Sequence, residues 1–430
     1  MKVILFVTII SIAFVLNGYG SDYKLLRGKV FDKNGLKDIP FASIYINHTG
    51  YGTITNEMGE FQLYYPASIS IDSFTISCIG YYNVSLRLSD YDADTLWNKF
   101  YLKEAIYDID GVYITDISCN DIIARFVKNY KLNYSRKPYY QEGFYRELTL
   151  NDNTYTRLIE AAFSIYDKGY DTDNSYKRIK INELRKSESY IQLSSQSQQL
   201  KKFYGKEVNN LVELSDGDII RFRDIEKGLK GIDKDFCENF DCFIKDIIMQ
   251  DTNQIYVIGF SSKNPSDNAF ITHEGSLYID KNDYAVIRYN MDFIVGNPDV
   301  KKYFIDNKYL KRISVVYRKI NDNYFLNYIS AQKVMEFSFS SLRDENDEVK
   351  NKQYYNLSMN IINTITDSKE YDRIKNRDDE KPDLDLYKMD FNYDEEFWKN
   401  YNILLINPLL KKAQTDLEKD GTLEEQFKNN

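Results

Sequence analysis

At 430 residues the chain is long enough for two or three domains, each with a sizeable core. Its formal net charge of -9 argues against nucleic-acid binding, which needs a basic face. Only 2 His and 4 Cys are available for metal or nucleophile chemistry. The 38 Tyr suit a strand-rich chain, because aromatic residues pack well on a pleated surface.

The first stretch reads as a secretory signal peptide. Lys2 precedes an apolar run from Val3 to Leu16, and the small residues Gly18, Gly20 and Ser21 come next. Residues 1–20 are therefore expected to be removed on export. No later segment is apolar over a membrane-spanning length.

Short strands come after it. Leu26 to Asp32 alternates into a turn at Asp32–Gly35, and Pro40 opens a strand over Phe41–Ile46. Thr53 and Thr55 alternate on one side of Asn56-Glu57-Met58-Gly59, and Phe61 and Leu63 on the other. Asn and Gly there supply turn chemistry, so this stretch is expected to be a β-hairpin with a four- or five-residue loop. Phe74 to Ile79 is apolar enough for a central strand, Gly80 marks a bend, and Val84, Leu86 and Leu88 resume the alternation. Roughly seven strands with closely spaced turns indicate a small β-sandwich over residues 24–103.

The ordered set Gly28-x-Val30, Pro40-x-Ala42-x-Ile44, Gly52-Thr53-x-Thr55-Asn56-x-x-Gly59-x-Phe61-x-Leu63 and Ile79-Gly80-Tyr81 resembles the carboxypeptidase-regulatory-like domain. The resemblance covers under a quarter of the chain. It implies a transthyretin-like β-sandwich, common at the N-termini of exported bacterial envelope proteins and TonB-dependent outer-membrane receptors. There it is an accessory module and, despite its name, carries no peptidase chemistry. Gly28, Pro40, Gly52, Thr55, Asn56, Gly59, Phe61, Gly80 and Tyr81 are its structural motif residues.

Residues 104–138 read as a linker, with a strand at Val112–Thr115 and then a helix over Asn120–Tyr130 capped by Ser118 or Asn120. From 139 to 365 the pattern is an antiparallel meander of eight to ten strands, interrupted by a polar stretch over 185–240. A curved sheet, a half-barrel and a second sandwich all fit it. The strand pair expected over Asn323–Phe339 belongs to it. The phrase Gly275–Arg288 resembles a strand–Asp-turn–strand unit of lipoprotein-carrier-like domains. Residues 366–386 read as an exposed charged loop. A helical tail over 387–430 ends in one helix from Pro408 to Phe427, with Leu409, Leu410, Ala413 and Leu417 as its buried stripe. The fold class is therefore mainly β: a sandwich, a larger antiparallel domain, a few helices and a C-terminal helix.

The candidate chemistry is sparse. His48 and His273 have neither the spacing nor the partners of a zinc peptidase. No Gly-x-Ser-x-Gly elbow and no phosphate-cradling Gly loop occurs. Glu160 lies in a run that reads as buried, where a carboxylate needs a partner. Arg146 or Arg157 would supply it, and the adjacent Arg146-Glu147 reads the same way. Cys237 and Cys242 allow a loop-closing disulfide or half of a metal site, and the sequence leaves both open. No cofactor, metal or catalytic residue is assigned.

Together these readings describe an exported, non-enzymatic envelope protein, in the periplasm or at the outer membrane, with a binding or scaffolding role. Its partner would be an outer-membrane or cell-surface protein, or a glycan or lipid ligand. The alternatives are a carrier holding a lipid or glycolipid in the larger domain, and a glycan hydrolase whose carboxylate pair the sequence does not reveal.

Overall fold

A computed structural model of the chain describes residues 23–35, 37–91, 97–105, 117–151, 153–170, 177–190, 218–221, 232, 235–263, 271–295, 310–335, 353–366, 374–375, 378–380, 386–405 and 408–429. The expected signal peptide, the strand at Val112–Thr115 and most of 185–240 lie outside the described residues.

The sandwich is built from β1 (Tyr23–Asp32), β2 (Ser43–Ile46), β3 (Gly52–Ile54), β4 (Glu60–Pro66), β5 (Ser73–Ser77), β6 (Val84–Arg87) and β7 (Asn98–Leu102). One sheet runs β4-β1-β7 and the other β3-β2-β5-β6. Alternation sets the faces: Leu26 and Val30 of β1, Phe61 and Leu63 of β4, and Phe100 and Leu102 of β7 all point inward. They meet Ile44, Phe74 and Ile76 from the second sheet. Phe100 anchors this core, with Phe61 and Phe74 each at a ring-centroid distance of 5.7 Å.

The hairpin expected around Asn56–Gly59 is not one. β3 pairs with β2, whereas β4 pairs with β1, so the turn is a corner between the two sheets. The cause lies in burial. Every residue of β3 is buried, so it cannot serve as one arm of a half-exposed hairpin. Asn56 Oδ1 accepts from the N–H groups of Met58 and Glu60, both at 2.9 Å, and Gly59 takes φ 72° to close the corner.

The second domain is one ten-stranded antiparallel sheet. Its strands are β8 (Tyr139–Asn151), β9 (Thr154–Asp167), β10 (Lys177–Lys186), β11 (Phe240–Gln250), β12 (Asn253–Ser262), β13 (Ile271–Asp280), β14 (Val286–Val295), β15 (Lys311–Ile320), β16 (Asn323–Met335) and β17 (Gln353–Ile365). Their order is β10-β9-β8-β17-β16-β15-β14-β13-β12-β11, so β17 returns beside β8 and joins two meanders. Among the described residues the sheet is open, with β10 and β11 at its edges. The strand pair expected over Asn323–Phe339 is the single strand β16 as far as Met335, and residues 336–339 lie outside the described residues.

Period-2 alternation gives this sheet two apolar faces. On the inner face Tyr145, Ile159, Ala161, Phe163, Leu357, Met359 and Ile361 pack against helix α1 (Cys119–Asn133), which inserts Ile122, Ile123 and Phe126. Ser118 caps α1 in a reciprocal box: its Oγ accepts from Asp121 N–H at 3.1 Å, and its own N–H reaches Asp121 Oδ2. Past the helix, Tyr134 is fully buried, and its hydroxyl donates to the Val286 carbonyl at 2.7 Å. The short helix α2 (Asp218–Arg221) adds Ile219 and Ile220, and Leu386 joins from the C-terminal side.

On the outer face Phe144, Ala162, Tyr328 and Ile362 are covered by Ile54 of the sandwich and by Trp398 and Leu404 of the tail. Two expectations for the C-terminal region change here. The charged stretch 366–386 is not simply an exposed loop, because Ile374 and Leu386 are buried and the edge of β10 is engaged. Asp379 accepts from Ile179 N–H and Glu380 N–H donates back to the Ile179 carbonyl, both at 2.8 Å. The single helix expected over 408–427 is broken. With α3 (Phe236–Asn239) preceding β11, the tail runs through α4 (Glu395–Lys399) and α5 (Pro408–Leu417), then a tight turn over Glu418–Asp420, and ends in α6 (Leu423–Asn429). Gly421 at φ 141° stops the first segment, and a Thr422/Glu425 capping box starts the next. Of the expected stripe, Ala413 and Leu417 are buried; nothing is described of the Leu409 and Leu410 side chains.

Phe126→Ala removes the largest side chain α1 inserts into the inner face. It is expected to lower unfolding free energy by about 3 kcal/mol, read from urea titration. A change within about 0.5 kcal/mol, the range of surface substitutions, would show that α1 does not complete this core.

Candidate functional site

Arg318 of β15 fixes the sandwich to the outer face. It is buried, and its guanidinium donates to the carbonyls of Gly50 at 2.5 Å and Tyr51 at 3.3 Å. The cation also sits 5.4 Å from the centre of the Tyr45 ring. Burial pushes its pKa down to about 10, so it remains a cation at neutral pH. Around it Asn327 reaches Ser43, Asn360 reaches Thr53, and Thr364 N–H donates to the Gly50 carbonyl. At the far end of the sandwich, Gly80 N–H donates to the Met249 carbonyl at 2.8 Å and Asp251 N–H to the Tyr81 carbonyl at 2.9 Å. The tail completes the clamp: the Asn402 side chain both accepts from and donates to the Tyr64 backbone, covering the edge of β4.

Most of the motif residues serve this architecture. A side chain at Gly28 would strike the Asn98 carbonyl, which β7 brings within 2.5 Å of the Cβ position. Gly52 leaves room for Arg318, Gly59 for the Val30 carbonyl, and Gly80 holds φ 90° at the bend. Thr55 Oγ1 bridges Ala42 N–H and the Ile39 carbonyl. Asn56 Nδ2 also reaches the Leu405 carbonyl in the tail. Phe61 is core, Tyr81 bonds Asp32 by its hydroxyl, and Pro40 is exposed in a turn.

With one sandwich sheet turned to the large domain, the outward side of β4-β1-β7 carries aromatic side chains left in solvent. Trp97 is 50% exposed and Tyr101 43%. Arg27 stacks over Trp97 at 5.7 Å, and Phe31 stacks on Tyr101 at a centroid distance of 5.7 Å. The parallel register sets Lys29 beside Lys99, with Lys29 bridged to Asp38 at 3.0 Å and Lys99 exposed. Among the described residues β7 pairs with β1 alone, so its other edge borders this face. Sequence reading missed the face; the alternation Trp97-x-Lys99-x-Tyr101 was the available signal.

The buried carboxylates are paired. Glu160 is 3% exposed on the outer face, with Arg146 Nε at 2.5 Å from Oε1 and Arg185 Nη2 at 2.5 Å from Oε2. Arg185 is held in turn 4.3 Å above the Trp398 ring. Burial pushes the Glu160 carboxyl up, but Arg146 and Arg185 together outweigh it and hold it below the usual glutamate range. On the opposite face Arg157 pairs with the fully buried Glu147 at 2.5 Å, and the Tyr145 hydroxyl donates to the same carboxylate. Neighbouring strands thus neutralise both acids, one on each face.

The two histidines lie apart. His48 sits in a turn at φ 57°, and His273 packs edge-on between Phe240 and Phe293, where burial lowers its pKa. Cys237 of α3 and Cys242 of β11 are not joined: their sulfurs are 3.2 Å apart, longer than a disulfide. The fold adds Cys119, so that all three sulfurs lie within 4.8 Å of one another. Cys119 stands far away in sequence, and spacing alone could not find it. Among the described residues no helix is long and apolar enough to cross a membrane.

The family profile of the CarboxypepD_reg-like domain matches residues 26–114, which covers the sandwich and leaves the ten-stranded sheet unmatched. No curated protein matches the sequence. Among solved structures, a DUF1329 family protein from Desulfovibrio piger ATCC 29098 aligns at 10% identity over 58% of this chain and 92% of its own, with TM-score 0.27. A LolA superfamily protein from Nitrosomonas europaea aligns at 10% identity over 62% of this chain and 100% of its own, with TM-score 0.22. A putative outer membrane lipoprotein-sorting protein domain from Vibrio parahaemolyticus aligns at 6% identity over 60% and 94%, with TM-score 0.25. These likenesses are too distant to bear on activity.

Two outcomes follow from the geometry. Arg318→Met should speed amide hydrogen exchange in Ser43–Ile54 and leave β8–β10 protected; unchanged exchange in both would show that Arg318 does not hold the sandwich. Glu160→Gln strands two buried guanidinium groups and should cost about 3 kcal/mol at neutral pH. Because the folded-state pKa of Glu160 is depressed, its stabilisation is complete above the unfolded value near 4.5 and is lost as pH falls through the folded value. The gap between wild type and Glu160→Gln should therefore shrink in acid; a gap constant with pH would contradict the pairing.

Proposed function

We propose that the chain is an exported, non-enzymatic binding protein of the cell envelope, and that it docks an envelope protein through the outward face of β4-β1-β7. The observation that carries this reading is the juxtaposition of half-exposed Trp97 and Tyr101 with Arg27 and Lys99 on a sheet held in place from behind. Large aromatic and arginine side chains lose little freedom on contact and dominate the energy of protein interfaces. The cationic groups suit an acidic surface on the partner.

Two features support a role without catalysis. The best-buried acids, Glu147 and Glu160, are each ion-paired with arginine, and His273 is packed between aromatic rings. The carrier reading finds less support, because α1 and Leu386 pack against the inner face of the sheet, where a lipid would have to lie. Export rests on the N-terminal apolar run, and the sandwich is a domain type that resembles accessory modules of envelope proteins.

The test is photocrosslinking in cells from a benzophenone side chain placed at Tyr101. A discrete protein adduct that disappears in Trp97→Ala is expected. Absence of any adduct at Tyr101, or turnover of a glycan or peptide that one carboxylate substitution abolishes, would overturn the reading.

A further inference from the structure

We infer that Cys119, Cys237 and Cys242 form a three-thiolate site for a soft, closed-shell metal ion of the Zn2+ or Cu+ kind, tying the start of α1 to the edge strand β11. Three elements converge there. Cys119 is the first residue of α1, Cys237 lies in α3, and Cys242 is on β11. Their sulfurs are mutually within 4.8 Å, and the nearest pair is 3.2 Å apart. Thiolates around an ion at about 2.3 Å stand roughly 3.8 Å from one another, a spacing inside that range. A disulfide would join two sulfurs and leave the third beside it; an ion uses all three.

The surroundings favour sulfur as thiolate. The N-terminus of a 15-residue helix places its positive end at Cys119. Lys263 is anchored at 2.6 Å on the Cys237 carbonyl and adds positive charge. Phe236 of α3 stacks on Phe240 of β11, and both meet Phe260 edge-on, so an apolar wall forms on the elements that carry Cys237 and Cys242. Cys119 is buried, whereas Cys237 and Cys242 are half-exposed, which gives an ion a way in and leaves one coordination position for water.

The test uses the full mature chain, reduced and kept free of oxygen, titrated with Co2+ as a spectroscopic stand-in for Zn2+. One equivalent should produce a thiolate-to-cobalt charge-transfer band that Zn2+ then bleaches. Cys119→Ser should lose the band, and Cys78→Ser, remote in the sandwich, should keep it. If Cys119→Ser does not fold, Cys242→Ser carries the same test. No band in the reduced wild type, a band that survives both substitutions, or isolation of the protein with Cys237 and Cys242 covalently bridged and unable to bind Co2+ once reduced, would overturn the site.

Discussion

Arg318 is a buried cation whose charge is met by two backbone carbonyls of the Gly50–Tyr51 turn and by the Tyr45 ring. Taking a guanidinium out of water costs several kcal/mol, so the contact holds only while the sandwich stays seated. The same contact explains Gly52, whose missing side chain makes room for the guanidinium. A large part of the outer face depends on this contact. The sandwich covers part of it, the tail around Trp398 covers another, and Asn402 and Asn56 bind tail to sandwich. A ten-stranded sheet with two apolar faces needs such covers, and here they come from the two ends of the described chain.

The proposed docking face is the surface that remains uncovered. The sandwich turns β3-β2-β5-β6 toward the sheet, so β4-β1-β7 is left to solvent with its aromatic and basic side chains. Fixing that face at a set angle would lower the entropy lost on binding the proposed partner, compared with a module on a loose tether. On the other side of the sheet α1 has a comparable role. It fills the inner face and brings Cys119 to the edge strand, where two other thiols wait.

Local patterns are readable in the sequence, and long-range placement is not. Most of the sandwich strands, the α1 helix with its Ser118 cap and most strands of the second domain are expected from period-2 or helical alternation and turn chemistry, whereas β7 and β11 are not picked out by it. The corner at Asn56–Gly59 reads as a hairpin because its turn residues are the same; only the burial of both faces of β3 separates the two. The broken C-terminal helix has a local signal, Gly421-Thr422-x-x-Glu425, which is a stop and then a capping box. Burial of Glu160 is legible from its apolar neighbours, but its second partner Arg185 depends on the pairing of β9 with β10. Arg318 and Cys119 carry no local mark at all. Each looks ordinary until the fold brings its partners from far along the chain.

The central claim is that sandwich and sheet form one body, and calorimetric unfolding of the protein tests it most directly. The account predicts a single transition whose calorimetric and van't Hoff enthalpies agree. Two separated transitions, with the lower one assigned to residues 23–105 by hydrogen exchange, would contradict it.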